Sequence, residues 1–368
     1  MKLLFIFSML FVNILVVYAQ QNTSETRQSA LTITAQRGFI MEQLPRYRPM
    51  IQGFPTSFEV NYSVKTTGNK PWHHAHKLPW LGAGFHYANL SSPQILGSAY
   101  SVFSHIYMPL FTNQDKIIKS YFNFSFGLAY LTKYFDANTN YYNMAIGSAI
   151  NIYANLSLDF DVYINNRFSG IFVLGMTHYS NGTFATPNLG INIMNAKLGF
   201  RYRLANVQPI AVRDDYKINF VKSNEFYLHY SAGVKEDYPQ DGSKFYSSAI
   251  VFDYGRKVSL KRKIGVGIDV FYESTLVYKL QNEKNTDIPH WYAIRSGVHF
   301  LHELQFNKIN LYMAAGTYFY TKRFNSNEIL YERIGLVYKF SPKWFATVSL
   351  KVHYVMADYV GFGFGRYW

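Results

Sequence analysis

No cysteine occurs among the 368 residues. That excludes a disulfide scaffold, a thiolate metal site, a cysteine nucleophile and a lipidated N-terminal cysteine. Charge is sparse: Asp, Glu, Lys and Arg make up 16% of the chain, against 18% for Phe, Trp and Tyr. A disordered chain needs the reverse balance. Acidic residues are the scarcer sign, 22 against 36 Lys and Arg, leaving a net charge of +14. Such an excess suits nucleic acid or an anionic membrane. No nucleic-acid-binding signature is present, so the membrane is the better match. Past the N-terminus, no apolar run approaches the ~20 residues of a membrane-crossing helix. No segment carries a convincing helical apolar stripe either.

The N-terminus does carry a short apolar run. Lys2 is a positive start, Leu3 to Val17 an apolar stretch, and Val17-Tyr18-Ala19 a small-residue cleavage site. This pattern predicts a secretory signal peptide over residues 1–19. The mature chain would begin at Gln20 or Gln21. An exported chain rich in Tyr and Phe, without helical spans, fits a secreted β-protein or an outer-membrane barrel.

Alternation with period two favours the barrel. Phe122, Phe124, Phe126, Leu128 and Tyr130 share one face, and Tyr121, Asn123, Ser125, Gly127 and Ala129 the other. Met194, Ala196, Leu198, Phe200, Tyr202 and Leu204 alternate with Asn195, Lys197, Gly199, Arg201 and Arg203. On a membrane barrel the apolar face meets lipid and the basic face lines the lumen. The pattern predicts sixteen antiparallel strands: 36–45, 56–66, 79–89, 97–111, 117–131, 144–164, 167–180, 190–205, 224–235, 244–256, 261–275, 290–305, 309–321, 329–340, 343–354 and 359–368. Turn signals separate them, among them Asn165-Asn166, Asp241-Gly242 and Ser341-Pro342. The closing Phe364-Gly365-Arg366-Tyr367-Trp368 resembles the aromatic-ended last strand of bacterial outer-membrane barrels.

The chain also echoes itself. SYFNFSFGLAYLTKYF at 120–135 resembles INLYMAAGTYFYTKRF at 309–324, and THYSNG at 177–182 loosely matches VHYVMA at 352–357. KLGFRYR and VGFGFGRYW follow the second pair. This suggests an eight-stranded unit over 20–206, a linker over 207–223, and a second, degenerate unit over 224–368. One continuous sixteen-stranded barrel is the expectation, two eight-stranded barrels the alternative.

One constellation carries chemistry. Phe172, Leu174, Met176, His178 and Ser180 share a face, so His178 and Ser180 stand side by side among apolar residues at a strand end. A histidine on a lipid-facing wall is costly unless it has a partner or a task. Accepting a serine proton is such a task, since it makes the hydroxyl a nucleophile. Asn192 shares the face of Met194 and Leu198, and a hairpin would return it beside His178. There it could hold the ring and fix its tautomer. Asn181 and Asn188 add polar groups at the same strand ends, and Asn188 could donate to a developing oxyanion.

His178-Tyr179-Ser180-Asn181-Gly182, Pro187-Asn188 and Gly190-Ile191 together resemble the signature of the outer-membrane lipid A 3-O-deacylase (acyloxyacyl hydrolase-like) family. The resemblance covers about residues 36–206 and is most specific over 175–192. It implies an eight-stranded barrel whose outer wall carries a Ser-His-Glu triad that hydrolyses an ester-linked acyl chain of lipid A. It implies His178 as general base, Ser180 as nucleophile and Asn188 at the oxyanion site. It places the protein in the outer membrane of a Gram-negative bacterium, with lipid A or lipopolysaccharide of the outer leaflet as partner. The family's Glu falls at Asn192. Either the amide orients the ring, or a carboxylate such as Asp136 substitutes, or activity is low. In the second half His353 matches His178, but Val355 stands at the serine position, so one active site is expected.

Other motifs are weaker. His73-His74-Ala75-His76 reads as a loop cluster rather than a metal site. Gly361-Phe362-Gly363-Phe364-Gly365 is no nucleotide loop, since no helix follows. No cofactor, metal or nucleic acid is expected. The alternative readings are a non-catalytic barrel, channel or structural, and a soluble β-protein binding an acidic ligand.

Overall fold

The computed structural model describes residues 28–111, 117–204, 212–213, 220–237, 242–323, 328–354 and 356–368. The expected signal peptide over 1–19 and most of the expected linker over 207–223 lie outside them, as does Val355. The described chain forms two compact units, each a closed antiparallel barrel of eight strands. Sixteen strands therefore form, but as two barrels instead of one.

The first barrel comprises β1 (Ser29–Ile40), β2 (Thr56–Lys65), β3 (Trp80–Asn89), β4 (Ser98–Pro109), β5 (Ile118–Leu131), β6 (Ile150–Tyr163), β7 (Phe168–Ser180) and β8 (Ile191–Arg203). It closes where β1 pairs with β8, from Ala30↔Arg203 to Ile40↔Ile193. The second comprises β9 (Ser223–Glu236), β10 (Lys244–Lys257), β11 (Arg262–Glu273), β12 (Ile294–Phe306), β13 (Ile309–Thr321), β14 (Leu330–Lys339), β15 (Trp344–His353) and β16 (Met356–Tyr367). It closes where β16 pairs with β9, from Phe362↔Ala232 to Tyr367↔Tyr227. The echoed segments fall on matching strands: β5 and β13 are each fifth in their barrel, and THYSNG and VHYVMA each begin in the seventh strand.

Alternation places the side chains as the pattern predicts. On β8, Asn195, Lys197, Arg201 and Arg203 are buried inside, while Met194, Leu198 and Phe200 are exposed outside. An eight-stranded barrel is just wide enough for side chains to fill. The basic inward face is matched by acids within the same barrel. Lys197 meets Glu59 at 2.8 Å and Arg201 meets Asp161 at 2.6 Å. In the second barrel, Lys263 meets Glu303 at 2.6 Å, and Asp269 lies 2.6 Å from both Arg333 and His299. These lumens are packed with ion pairs and aromatic rings.

Three expectations change. The first strand runs over Ser29–Ile40 rather than 36–45, and Pro45–Met50 forms a 3-10 turn instead. Proline at the head of that turn supplies a fixed φ and no N–H, which suits a helix start and not a strand interior. The sixth strand begins at Ile150, not at 144, because Asn143 ties down the preceding loop: its Nδ2 donates to the carbonyl of Ile95 at 2.8 Å. A helix over Ser274–Lys284 was not expected. It buries only Thr275, Leu276, Val277 and Leu280, a stripe too short to stand out in the sequence. Val277 and Leu280 pack with Ile288 and Ala293.

Candidate active site

The site is built at the paired ends of β7 and β8 on the outer wall of the first barrel. Antiparallel register sets His178 directly opposite Asn192 and Ser180 opposite Ile152 of β6. The inward neighbours Thr177 and Tyr179 are fully buried in the lumen. His178 and Ser180 therefore point away from it, above the outward Met176 and Leu174.

The three side chains form one hydrogen-bonded chain. Nδ1 of His178 lies 2.6 Å from Oδ1 of Asn192, and Nε2 lies 2.8 Å from Oγ of Ser180. An amide oxygen only accepts, so Nδ1 carries the ring proton. Nε2 is then the lone-pair nitrogen, and the Ser180 hydroxyl donates to it. This is the arrangement in which a neutral imidazole can take a serine proton. Ser180 is 7% exposed.

The loop after Ser180 returns two asparagines to the site. The backbone N–H of Asn181 donates to Oδ1 of Asn188 at 3.0 Å. That bond fixes which way the Asn188 amide faces. Its Nδ2 is buried without a hydrogen-bond partner among the described residues. A buried donor left unpaired costs about 1–3 kcal/mol. Asn181 itself is engaged: its Nδ2 donates to Oγ of Ser148 at 3.0 Å. Of the two asparagines, Asn188 keeps an unpaired amide donor and Asn181 fixes its orientation through the backbone.

Two contributors had no role assigned from the sequence, Gly190 having entered only as part of the resembling motif. Gly190 has φ +78°, and a Cβ there would lie 3.0 Å from Cε1 of His178. Only glycine combines that left-handed backbone with so close an approach to the ring. The Asn-Leu-Gly run after Pro187 is the signal that could have marked it. Ser148 fell within the expected strand 144–164, whereas it lies in the loop just before β6, which begins at Ile150.

Asp136 was the expected substitute for a triad carboxylate. Its Oδ1 instead accepts from the backbone N–H of Asn138 at 3.0 Å, the N–H of Thr139 at 2.8 Å and the Thr139 hydroxyl at 2.9 Å. These donors hold its carboxyl below the usual aspartate range, the Thr139 N–H contributing most. Both ring nitrogens of His178 are already occupied, by Asn192 and Ser180.

The remaining histidines sit apart from this chemistry. His73 and His74 belong to the short helix Pro71–Ala75, where Nδ1 of His73 accepts from the N–H of Gly68 at 3.1 Å. No group of three His, Asp or Glu residues suited to a metal ion occurs among the described residues. His353 shares the inward face of Lys351 and Thr347 on β15, and its Nε2 lies 3.0 Å from the Tyr318 hydroxyl.

Fold and wall together define a class: small antiparallel barrels with filled lumens and apolar exteriors, one of them carrying a Ser-His-Asn chain on the outside. The family follows from sequence comparison. Residues 56–201 match the model described as Lipid A 3-O-deacylase (PagL), and residues 224–368 match that described as Acyloxyacyl hydrolase, C-terminal domain. The first match makes residues 56–201 similar to the lipid A 3-O-deacylase family, and the second makes residues 224–368 similar to the C-terminal domain of acyloxyacyl hydrolases. No curated protein matches it. Among solved structures, a triple mutant of the Rhodopseudomonas blastica porin is 7% identical, with 92% of this chain and 100% of that chain covered at a TM-score of 0.18. CdiB from Acinetobacter baumannii is 8% identical, with 94% and 60% covered at a TM-score of 0.20. Such low TM-scores carry no structural argument.

Proposed function

We propose that the protein is an outer-membrane esterase that removes an ester-linked acyl chain from lipid A or a related lipid, using Ser180 as nucleophile and His178 as general base. The observation that carries this reading is the Asn192–His178–Ser180 chain on an outward, apolar wall. A lipid substrate would reach that wall without leaving the membrane. The flanking connections support the outer leaflet. Those at the site's end run over 41–55, 90–97, 132–149 and 181–190, and those at the opposite end over 66–79, 110–117 and 164–167. Bacterial outer-membrane barrels carry their longer loops outside.

In this mechanism Oγ of Ser180 attacks the ester carbonyl carbon while its proton passes to Nε2 of His178. The carbonyl oxygen becomes an oxyanion, to which Nδ2 of Asn188 donates. Collapse breaks the bond to the sugar oxygen, which takes the proton from Nε2 and leaves as a hydroxyl. Water, deprotonated by the same nitrogen, then attacks the acyl-serine and releases a fatty acid. Asn192 holds the Nδ1–H tautomer throughout, but it offers the imidazolium a dipole in place of a charge. The filled lumens favour this reading over a conducting channel.

The test is acyl release from purified lipid A by the refolded protein and its Ser180→Ala and His178→Ala variants. Release by the wild type alone supports the proposal. Equal release by all three, or none by any, refutes it.

A further inference from the structure

We propose that Tyr47 is a positioning residue of this site, its phenol fixing the segment Asn188–Gly190 that presents the amide donor and backs the imidazole. The inference rests on the esterase reading above. Tyr47 lies in the 3-10 turn Pro45–Met50 between β1 and β2, far from the His178 motif in sequence. It is 1% exposed. Its hydroxyl donates to the carbonyl of Leu189 at 2.9 Å and that of Gly190 at 2.8 Å, a shared bond from one proton. Burial pushes the phenol up to about 12 against the opposing pull of Arg46, so it remains a neutral donor at working pH.

The two carbonyls it holds follow Asn188 directly and precede the β8 residues Ile191 and Asn192. The segment has other ties, from Gly190 N–H to the carbonyl of Ala145 at 2.9 Å and from Leu189 N–H to that of Met144 at 3.4 Å. Those bonds engage its donors. Tyr47 engages its acceptors, and it does so from a different loop. Without the phenol, two carbonyls lose their donor and the segment is free to rotate toward other partners. Its two working features would move with it: the unpaired Nδ2 of Asn188, and Gly190, which packs against the ring. The Tyr47 ring itself sits in an apolar cluster with Met50, Ile146 and Ile191, so phenylalanine keeps that packing.

The experiment compares the full chain refolded in detergent as wild type, Ser180→Ala, Tyr47→Phe, Asn188→Ala and the double variant Tyr47→Phe/Asn188→Ala. It measures kcat and KM for lipid A deacylation and the melting point of the heat-modifiable barrel. Tyr47→Phe is expected to lower kcat roughly 10- to 100-fold, the scale of a small misplacement in a site. KM should stay within about twofold. The double variant should lose clearly less than the product of the two single losses, because part of the effect of Tyr47 runs through Asn188. Wild-type kcat in Tyr47→Phe, or losses that multiply in the double variant, would overturn the assignment while leaving the esterase intact. A wild type no faster than Ser180→Ala would overturn the esterase reading and this inference together. Should Tyr47→Phe not fold, Pro45→Ala loosens the same turn; it is expected to lower kcat in the same direction, and unchanged kcat there would count against the proposal.

Discussion

Replacing Asn192 by glutamate tests how this site works with an amide where the family has a carboxylate. The amide oxygen sits 2.6 Å from Nδ1 of His178, so a carboxylate in its place would contact the ring directly. As the serine proton arrives, the imidazole becomes a cation. Two opposite charges at about 4 Å attract by about 4 kcal/mol at the effective dielectric of a protein surface. Desolvating the new carboxylate on an apolar wall takes back part of this. A net gain of about 2 kcal/mol is a rate increase of roughly 30-fold. Asn192→Ala removes the orienting acceptor, and the ring is free to adopt the tautomer that protonates Nε2. In serine proteases the wrong tautomer is the main consequence of losing the triad carboxylate. A loss of roughly tenfold or more is expected here. Asp136→Asn should change little, because that carboxyl caps its own turn through Asn138 and Thr139. Initial rates of acyl release for the three variants decide the matter. A large loss confined to Asp136→Asn, with both Asn192 variants unchanged, would refute the assignment of Asn192.

Gly190→Ala should lower deacylation far more than it lowers the melting point, because its Cβ would press on Cε1 of His178 at 3.0 Å with φ at +78°; parallel rate and melting measurements check this. Lys197→Met leaves Glu59 buried without its cation and should cost about 3–5 kcal/mol in urea titrations, and adding Glu59→Leu should recover much of it, since both side chains are buried. His73 supplies a pH test. Burial holds its pKa down to about 4, with Lys70 and His74 adding to the shift. A histidine kept neutral in the fold contributes stability above its unfolded pKa near 6.5, and that stability is lost as pH falls from there towards 4. The melting point of the wild type should therefore fall between pH 7 and 4, and the fall should be smaller in His73→Gln.

The parts legible in the sequence were those with strong local contrast. On β8 most second residues change from apolar to polar, and period two carries the outward face of Phe172, Leu174 and Met176 on to His178 and Ser180, so the faces of His178, Ser180 and Asn192 could be read directly. Inward-facing Lys197, Arg201 and Arg203 followed from the same alternation. Closure was not legible. Nothing in the pattern of β1 distinguishes pairing with β8 from pairing with a sixteenth strand, because ladder partners are chosen by the whole sheet. The first strand was misplaced for a local reason: residues 41–50 contain apolar side chains, but Pro45 and Pro49 belong to a 3-10 segment over Pro45–Met50. The orientation of Asn188 is set by a backbone N–H, and a backbone donor leaves no mark on the residue pattern. Tyr47 was invisible for a related cause, since its partners are carbonyls more than 140 positions away.

The most direct measurement of the central claim is the mass spectrum of lipid A from cells making either the wild-type protein or Ser180→Ala at equal levels of folded, heat-modifiable barrel. The account predicts that the wild type shifts lipid A by the loss of one ester-linked acyl chain, and that Ser180→Ala leaves the spectrum of cells without the protein. Identical spectra for wild type and protein-free cells, or the same shift with Ser180→Ala, would contradict it.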